Sequence, residues 1–121
     1  MAKNTVLTLK KKVDEGGKVT MVTSYDYTMA ALTEQAGIDM ILVGDSLGMT
    51  MMGYDSTLPV TMDDMVHHTR CVTRACDNTF VVGDMPFGSY QTDVPCAVAN
   101  AARLMKEGRC QAVKLEGGAT V

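Results

Sequence analysis

With 121 residues, 46% of them hydrophobic and 21% charged, the chain has the length and composition of one modest folded domain, not of a disordered segment. Its formal charge of −3 offers no basic footprint for nucleic acid, and no apolar run approaches the roughly 18 residues a membrane span needs. The lysine-bearing amino terminus lacks the apolar core of a signal peptide, so the default location is cytoplasmic.

Thr5 to Gly16 reads as a short amphipathic helix with Val6, Leu9 and Val13 on one face and Lys10, Lys11 and Lys12 as solvated surface. Gly16 and Gly17 stop it, and Lys18 to Thr23 follows as a first strand. Asp26 is placed to cap a helix that reaches Ala36, with Met29, Leu32 and Ala36 facing inward and Gly37 as its stop. Ile38 to Val43 is the second strand. Leu47 to Val60 then forms a long loop at its carboxyl end, where function concentrates more often than not.

Thr61 opens a third helix, and Asp64 three residues later completes a capping-box pattern. Met62, Met65, Val66, Thr69, Val72 and Cys76 form its inward stripe. Thr79 to Val82 is the third strand. After a loop from Met85 to Val94, Thr92 or Asp93 caps a helix that tolerates Pro95 in its first turn. Val98, Ala101, Ala102 and Met105 are its expected core side, Gly108 ends it, and Gln111 to Leu115 is the fourth strand. Strand and helix alternate four times with short returns, which predicts parallel strands with crossover helices. A (β/α)₈ barrel has eight such units in about 250 residues. Polar residues crowding the strands' carboxyl ends suit a TIM barrel or a doubly wound sheet alike, and on the barrel reading residues 1–121 cover the first half of one domain, cut after the fourth strand.

Cys71, Cys76, Cys96 and Cys110 include no C-x-x-C pair and read as free thiols, not as zinc ligands or a disulfide framework. His67 and His68 lie within the third helix and read as exposed or packed helix residues.

The chemistry gathers where apolar strands end. Ile41-Leu42-Val43-Gly44-Asp45-Ser46-Leu47-Gly48, Phe80-Val81-Val82-Gly83-Asp84 and Ala112-Val113-Lys114-Leu115-Glu116-Gly117-Gly118 each run from β-branched residues into an acid beside glycine. Three carboxylates converging on one rim, Asp45, Asp84 and Glu116, are hard oxygen ligands suited to Mg²⁺ or a similar divalent ion. Such an ion can chelate an α-keto acid, with Lys114 facing its carboxylate and Ser46 positioning it. Acids at strand ends also simply cap helices or face solvent, and composition alone leaves both readings open.

Val43-Gly44-Asp45-Ser46-Leu47-Gly48, the loop through Gly53-Tyr54 to Thr57-Leu58-Pro59-Val60-Thr61, the run Gly83-Asp84-Met85-Pro86-Phe87-Gly88-Ser89-Tyr90, and Val113-Lys114-Leu115-Glu116-Gly117-Gly118 together resemble the ketopantoate (3-methyl-2-oxobutanoate) hydroxymethyltransferase family. Thr8-Leu9-Lys10 and Val22-Thr23-Ser24-Tyr25-Asp26 extend the likeness to the amino terminus. The resemblance implies a TIM barrel and a Mg²⁺-dependent transfer of a one-carbon unit. The donor is 5,10-methylenetetrahydrofolate and the acceptor 3-methyl-2-oxobutanoate, giving 2-dehydropantoate in pantothenate biosynthesis. By the same resemblance Asp45, Asp84 and Glu116 are metal ligands, Asp45, Ser46, Asp84 and Lys114 contact the keto acid, and Tyr25 and the Leu47–Tyr54 loop lie near the site. The intact enzyme would be a homo-oligomer. The family's general base, a glutamate, has no counterpart here and is expected beyond Val121, so these residues alone are not expected to turn over substrate.

Two other enzymatic readings exist. A keto-acid enzyme of the phosphoenolpyruvate mutase and isocitrate lyase group would share the barrel and the metal logic, but the Pro-Phe-Gly-Ser-Tyr and Lys-x-Glu-Gly-Gly runs argue for the transferase. Gly44-Asp45-Ser46-Leu47 also spells the nucleophile block of GDSL-type hydrolases, with Ser46 as nucleophile. That reading leaves Asp84 and Glu116 unexplained and lacks a well-placed histidine. A non-enzymatic reading is an inactive fragment.

Overall fold

The computed structural model describes residues 2–121. Four strands, β1 (Met21–Thr23), β2 (Met40–Val43), β3 (Phe80–Asp84) and β4 (Ala112–Lys114), form one all-parallel sheet in the order β1-β2-β3-β4. The helices are α1 (Val6–Asp14), α2 (Tyr27–Gln35), α3 (Leu47–Thr50), α4 (Met62–Ala75) and α5 (Val94–Glu107). The expected alternation and the parallel half-barrel order are both present, because strands taken sequentially with a helix between each pair can lie side by side in one direction. The strands are shorter than expected at their amino ends: Lys18 to Thr20, Ile38 and Asp39 precede the ladder. No helix among the described residues is long and apolar enough to cross a membrane.

Strand alternation sorts the core into two faces. Ile41, Val43 and Val81 point to one side and pack with Ala30, Met65, Val66, Val72 and Leu104 from α2, α4 and α5. Phe80 and Val82 point to the other, joined by Met40, Leu42 and Leu9 of α1. Leu9 is the only buried residue of α1, and Val6 and Val13, expected beside it, are exposed. The helix is held by its ends as well: Asn4 donates its backbone N–H to the Asn78 carbonyl (2.8 Å) and its side-chain amide to that of Asp39 (3.0 Å). The Asp39 carboxylate accepts from Lys12 (2.7 Å) and from the Thr20 N–H (2.9 Å).

The caps fall where the sequence placed them. Asp26 accepts the Met29 N–H, Asp93 the Cys96 N–H, and Thr61 and Asp64 form a complete capping box at the start of α4. Met65, Val66, Thr69 and Val72 are the buried stripe of α4, flanked by half-buried Met62 and Cys76. The inward faces of α2 and α5 differ from expectation. In α2 the buried residues are Ala30 and Thr33, and Met29, Leu32 and Ala36 are exposed. In α5 Leu104 is fully buried and Ala101 half-buried, whereas Val98 is 62% exposed and Ala102 and Met105 also face out. In α2 the small Ala30 faces the core and the larger Met29 and Leu32 turn away, whereas in α5 a single large residue, Leu104, fills the contact. The loop after β2 is also more ordered than expected: Leu47 and Val60 are buried, and Tyr54 N–H donates to the Gly48 carbonyl at 2.8 Å.

Glu34 ties α2 to the turn before β3, its carboxylate accepting the N–H groups of Asp77 (3.0 Å), Asn78 (2.8 Å) and Thr79 (2.8 Å). Burial alone would raise its pKa, but the N–H groups of Thr79, Asn78 and Asp77 together override that and hold it below the ordinary glutamate range. A depressed folded-state pKa contributes stability that is complete above the unfolded value and is lost as pH falls through the folded one. Glu34→Gln is therefore expected to cost about 1–2 kcal/mol at pH 7. The gap from wild type should shrink as pH falls below about 4. Urea melts of both proteins at pH 7 and pH 3 check this; a gap that widens on acidification contradicts it.

Candidate active site

The polar cluster sits at the carboxyl ends of β2, β3 and β4, and strand register builds it. Val43 pairs with Gly83 and Asp84 with Lys114, so the residues that close β3 and β4 lie side by side and the Gly44-Asp45 turn begins one step beyond β2. The Asp84 side chain is 6% exposed. One of its carboxylate oxygens accepts the Asp45 N–H at 3.0 Å, and the other faces Lys114 Nζ at 3.4 Å. Lys114 also donates to Glu116 Oε2 at 3.1 Å, and the Glu116 side chain is 78% exposed. The Met85 N–H, donated to the Lys114 carbonyl at 2.9 Å, carries the β3–β4 pairing past Asp84.

This cluster has an uncompensated negative charge. Burial raises the Asp45 pKa, the charge of Asp84 and a hydrogen bond with it raise it further, Lys114 opposes them, and Glu116 adds a smaller push upward. Lys114 is itself pulled down by burial, but Glu116 and Asp84 outweigh this and hold its pKa above the usual lysine value. Two half-buried or buried carboxylates facing each other are a position a cation would relieve.

A second set of bonds supports the cluster. Tyr25 and Ser46 share a hydrogen bond of 2.7 Å between their hydroxyls, and His68 Nδ1 donates to the Tyr25 carbonyl at 2.8 Å. The Tyr90 hydroxyl accepts the Glu116 N–H (3.0 Å) and donates to the Glu116 carbonyl (3.1 Å), which pins the chain after β4. Tyr25, near the site only by resemblance in the sequence, is thus bonded to Ser46. The roles of His68 and Tyr90 were not evident from their positions, since each acts through a residue far away in the chain. No histidine among the described residues bonds to Ser46, whose partner is a phenol, so the geometry lends nothing to a serine nucleophile.

The cluster opens on a cavity of about 280 Å³ lined by Asp45, Leu58, Met85, Phe87, Tyr90 and Glu116 among others. Its lining combines two acids with apolar and aromatic side chains, the composition of a small-molecule site. Among the described residues no three His, Cys, Asp or Glu side chains stand close enough to enclose a metal ion. Asp45 and Asp84 come together, whereas Glu116 is turned to Lys114. A Mg²⁺-type ion needs no protein cage: one or two carboxylates suffice when water and substrate oxygens complete the shell. The donor set, all oxygen and short of positive charge, fits such an ion.

The family model described as ketopantoate hydroxymethyltransferase matches residues 3–121. Among curated relatives, the 3-methyl-2-oxobutanoate hydroxymethyltransferase of Clostridium novyi (strain NT) is 62% identical over 119 residues, covering 98% of this chain and 43% of the relative. That of Desulfotalea psychrophila is 65% identical over 106 residues, covering 88% and 38%. The chain thus spans about two fifths of the length of these relatives. Among solved structures, a phosphoenolpyruvate phosphomutase from Streptomyces platensis subsp. rosaceus superposes with a TM-score of 0.71 at 19% identity, covering 91% of this chain and 37% of that one. A 2,3-dimethylmalate lyase of the PEP mutase/isocitrate lyase superfamily gives 0.66 at 17% identity, covering 95% and 40%. At these identities the two structures show a shared α/β barrel fold and nothing about the reaction.

Proposed function

Because the chain belongs to the ketopantoate hydroxymethyltransferase family, we propose that it carries the metal- and keto-acid-binding part of that reaction. In the reaction a hydroxymethyl group passes from 5,10-methylenetetrahydrofolate to 3-methyl-2-oxobutanoate, giving 2-dehydropantoate for pantothenate biosynthesis. The observation that carries the reading is the meeting of Asp45, Asp84 and Lys114 at the carboxyl ends of the strands, beside a cavity that Asp45 and Glu116 line.

Asp45 and Asp84 would hold Mg²⁺, and Glu116, exposed and engaged only through Lys114 and its backbone, would complete the ligand set. When bound, the ion polarises the keto acid's carbonyl and so acidifies the neighbouring C–H. Lys114 places an ammonium where the substrate carboxylate would lie, and its raised pKa keeps it charged. Ser46, oriented by Tyr25, offers a hydroxyl to the keto acid, and by the family resemblance Asp45 and Asp84 contact it as well. Leu58, Met85 and Phe87 present an apolar wall to the substrate's branched end. None of these groups is assigned the proton abstraction. By the family resemblance the proton abstraction falls to a glutamate with no counterpart among these 121 residues, and the two aspartates and Lys114 keep their roles toward the ion and the substrate carboxylate. The intact enzyme is assigned to the cytoplasm as a homo-oligomer; exposed Leu32, Val98 and Met105 are apolar surface suited to burial against further polypeptide.

Calorimetric titration of the chain with 3-methyl-2-oxobutanoate, with and without Mg²⁺, tests the binding role. Saturable keto-acid binding that requires Mg²⁺ is the expected result. Equal heats with and without the ion, from a folded protein, would overturn it.

A further inference from the structure

A larger cavity, about 390 Å³, lies at the opposite end of the sheet, where α4 and α5 hand over to β3 and β4. Its lining includes Lys3, Arg74, Arg109, Asp77, Thr73 and Gln111. Three cations face one carboxylate, a surplus of two positive charges in a chain whose net charge is −3. None of the three makes an ion pair among the described residues, a state they share with Lys18, Arg70 and Lys106, but only these three are gathered around one cavity. Gln111 spends its carbonyl oxygen on the Val81 N–H (2.8 Å), while its amide nitrogen has no protein acceptor among the described residues. The Thr73 hydroxyl, bonded to the Gly108 carbonyl at 2.8 Å, fixes the wall from which Arg109 emerges.

Arg109 carries the second observation. Its φ of +67° is the only left-handed value among the described residues other than glycine. That conformation costs an L-residue about 1 kcal/mol and normally selects glycine or asparagine. Gly108 before it is required for close packing, since a Cβ there would stand 2.5 Å from the Leu104 carbonyl oxygen. The chain therefore keeps glycine for the packing position and a strained arginine for the turn, and backbone strain of this kind points to a side chain retained for what it contacts.

We propose that this cavity binds a small phosphate-bearing anion, held by the guanidinium groups of Arg74 and Arg109 and the ammonium of Lys3. Guanidinium forks match the oxygens of a tetrahedral oxyanion, and a surplus of two charges matches a phosphate monoester dianion. Gln111 supplies a neutral donor, and the volume leaves room for an organic group beyond the phosphate. The site is at the opposite end of the sheet from Asp45, Asp84 and Lys114, so it stands or falls independently of the transferase reading.

The test is a titration of the isotopically labelled chain with inorganic phosphate at constant ionic strength, followed by backbone amide shifts. Saturable shifts confined to residues 73–77 and 109–111, with those at Asp45, Asp84 and Lys114 unmoved, are expected. Arg109→Gly separates ligand binding from folding. Glycine accepts the left-handed turn, so this variant should melt no lower than wild type while binding phosphate about tenfold more weakly. Arg74→Gln, at an exposed position, should weaken it comparably. Shifts that never saturate, shifts spread over the surface lysines, or affinities unchanged in both variants would overturn the proposal.

Discussion

Asp84→Asn is expected to leave the fold in place and to weaken Mg²⁺ binding by more than about a hundredfold. The asparagine carbonyl can still accept the Asp45 N–H, and Lys114 keeps its 3.1 Å contact with Glu116, so the loss in stability should stay near about 1 kcal/mol. The loss in affinity should be large because Asp84 is the one buried carboxylate of the cluster, held at the carboxyl end of β3 and unable to be replaced by another side chain. Glu116→Gln should cost much less, about tenfold, since its side chain is 78% exposed and turned to Lys114. With Asp84 neutral, the charge that helps raise the Asp45 pKa is gone, and carboxyl titration by ¹³C NMR should show Asp45 closer to an ordinary aspartate. Calorimetry of the two variants side by side decides the assignment. If Asp84→Asn binds Mg²⁺ within about threefold of wild type, Asp84 is not the ion's anchor.

What could be read from the sequence and what could not divide along physical lines. Caps are local, needing only a side chain and an N–H two or three residues on, so Asp26, Thr61, Asp64 and Asp93 were all legible. Strand ends were legible for a similar reason: an apolar β-branched run followed by glycine and an acid marks where a buried strand meets the rim, and Asp45, Asp84 and Lys114 do meet there. Helix phase was harder. Around α5, Val98, Ala101, Ala102, Leu104 and Met105 offer apolar residues on several faces, and only the packing against α4 and β4 selects Leu104. The Tyr25–Ser46, Tyr90–Glu116 and Glu34–Thr79 bonds join residues 21, 26 and 45 positions apart, and no local pattern announces them. The direction of Glu116 was hidden for another reason. Spacing places Lys114 and Glu116 on one strand face, but only the competing pull of Asp84 and Glu116 on one ammonium decides where each carboxylate lies.

Gly83 connects the core to the site, and Gly83→Ala is expected to cost about 2–3 kcal/mol and to blunt metal binding although it touches no ligand. Gly83 lies in the fully buried β3, one residue before Asp84. A Cβ there would stand 2.8 Å from Leu104 Cδ2, 2.9 Å from Leu104 Cγ and 3.1 Å from Cys110 Sγ. Leu104 is completely buried and has no space to retreat into, so either α5 moves off the sheet or β3 bends. Bending β3 would shift Asp84 relative to Asp45 and Lys114, and a displacement of well under 1 Å at a ligand is felt in affinity. Leu104→Ala alone should cost about 3 kcal/mol through the cavity it leaves. Combined, the two changes should offset each other. The alanine methyl at position 83 would enter the space vacated by Leu104, giving a favourable coupling of at least about 1 kcal/mol in a double-mutant cycle. Denaturant melts of the four proteins measure the cycle. Strict additivity of the two losses would mean that Gly83 is set by its own backbone and not by the approach of α5.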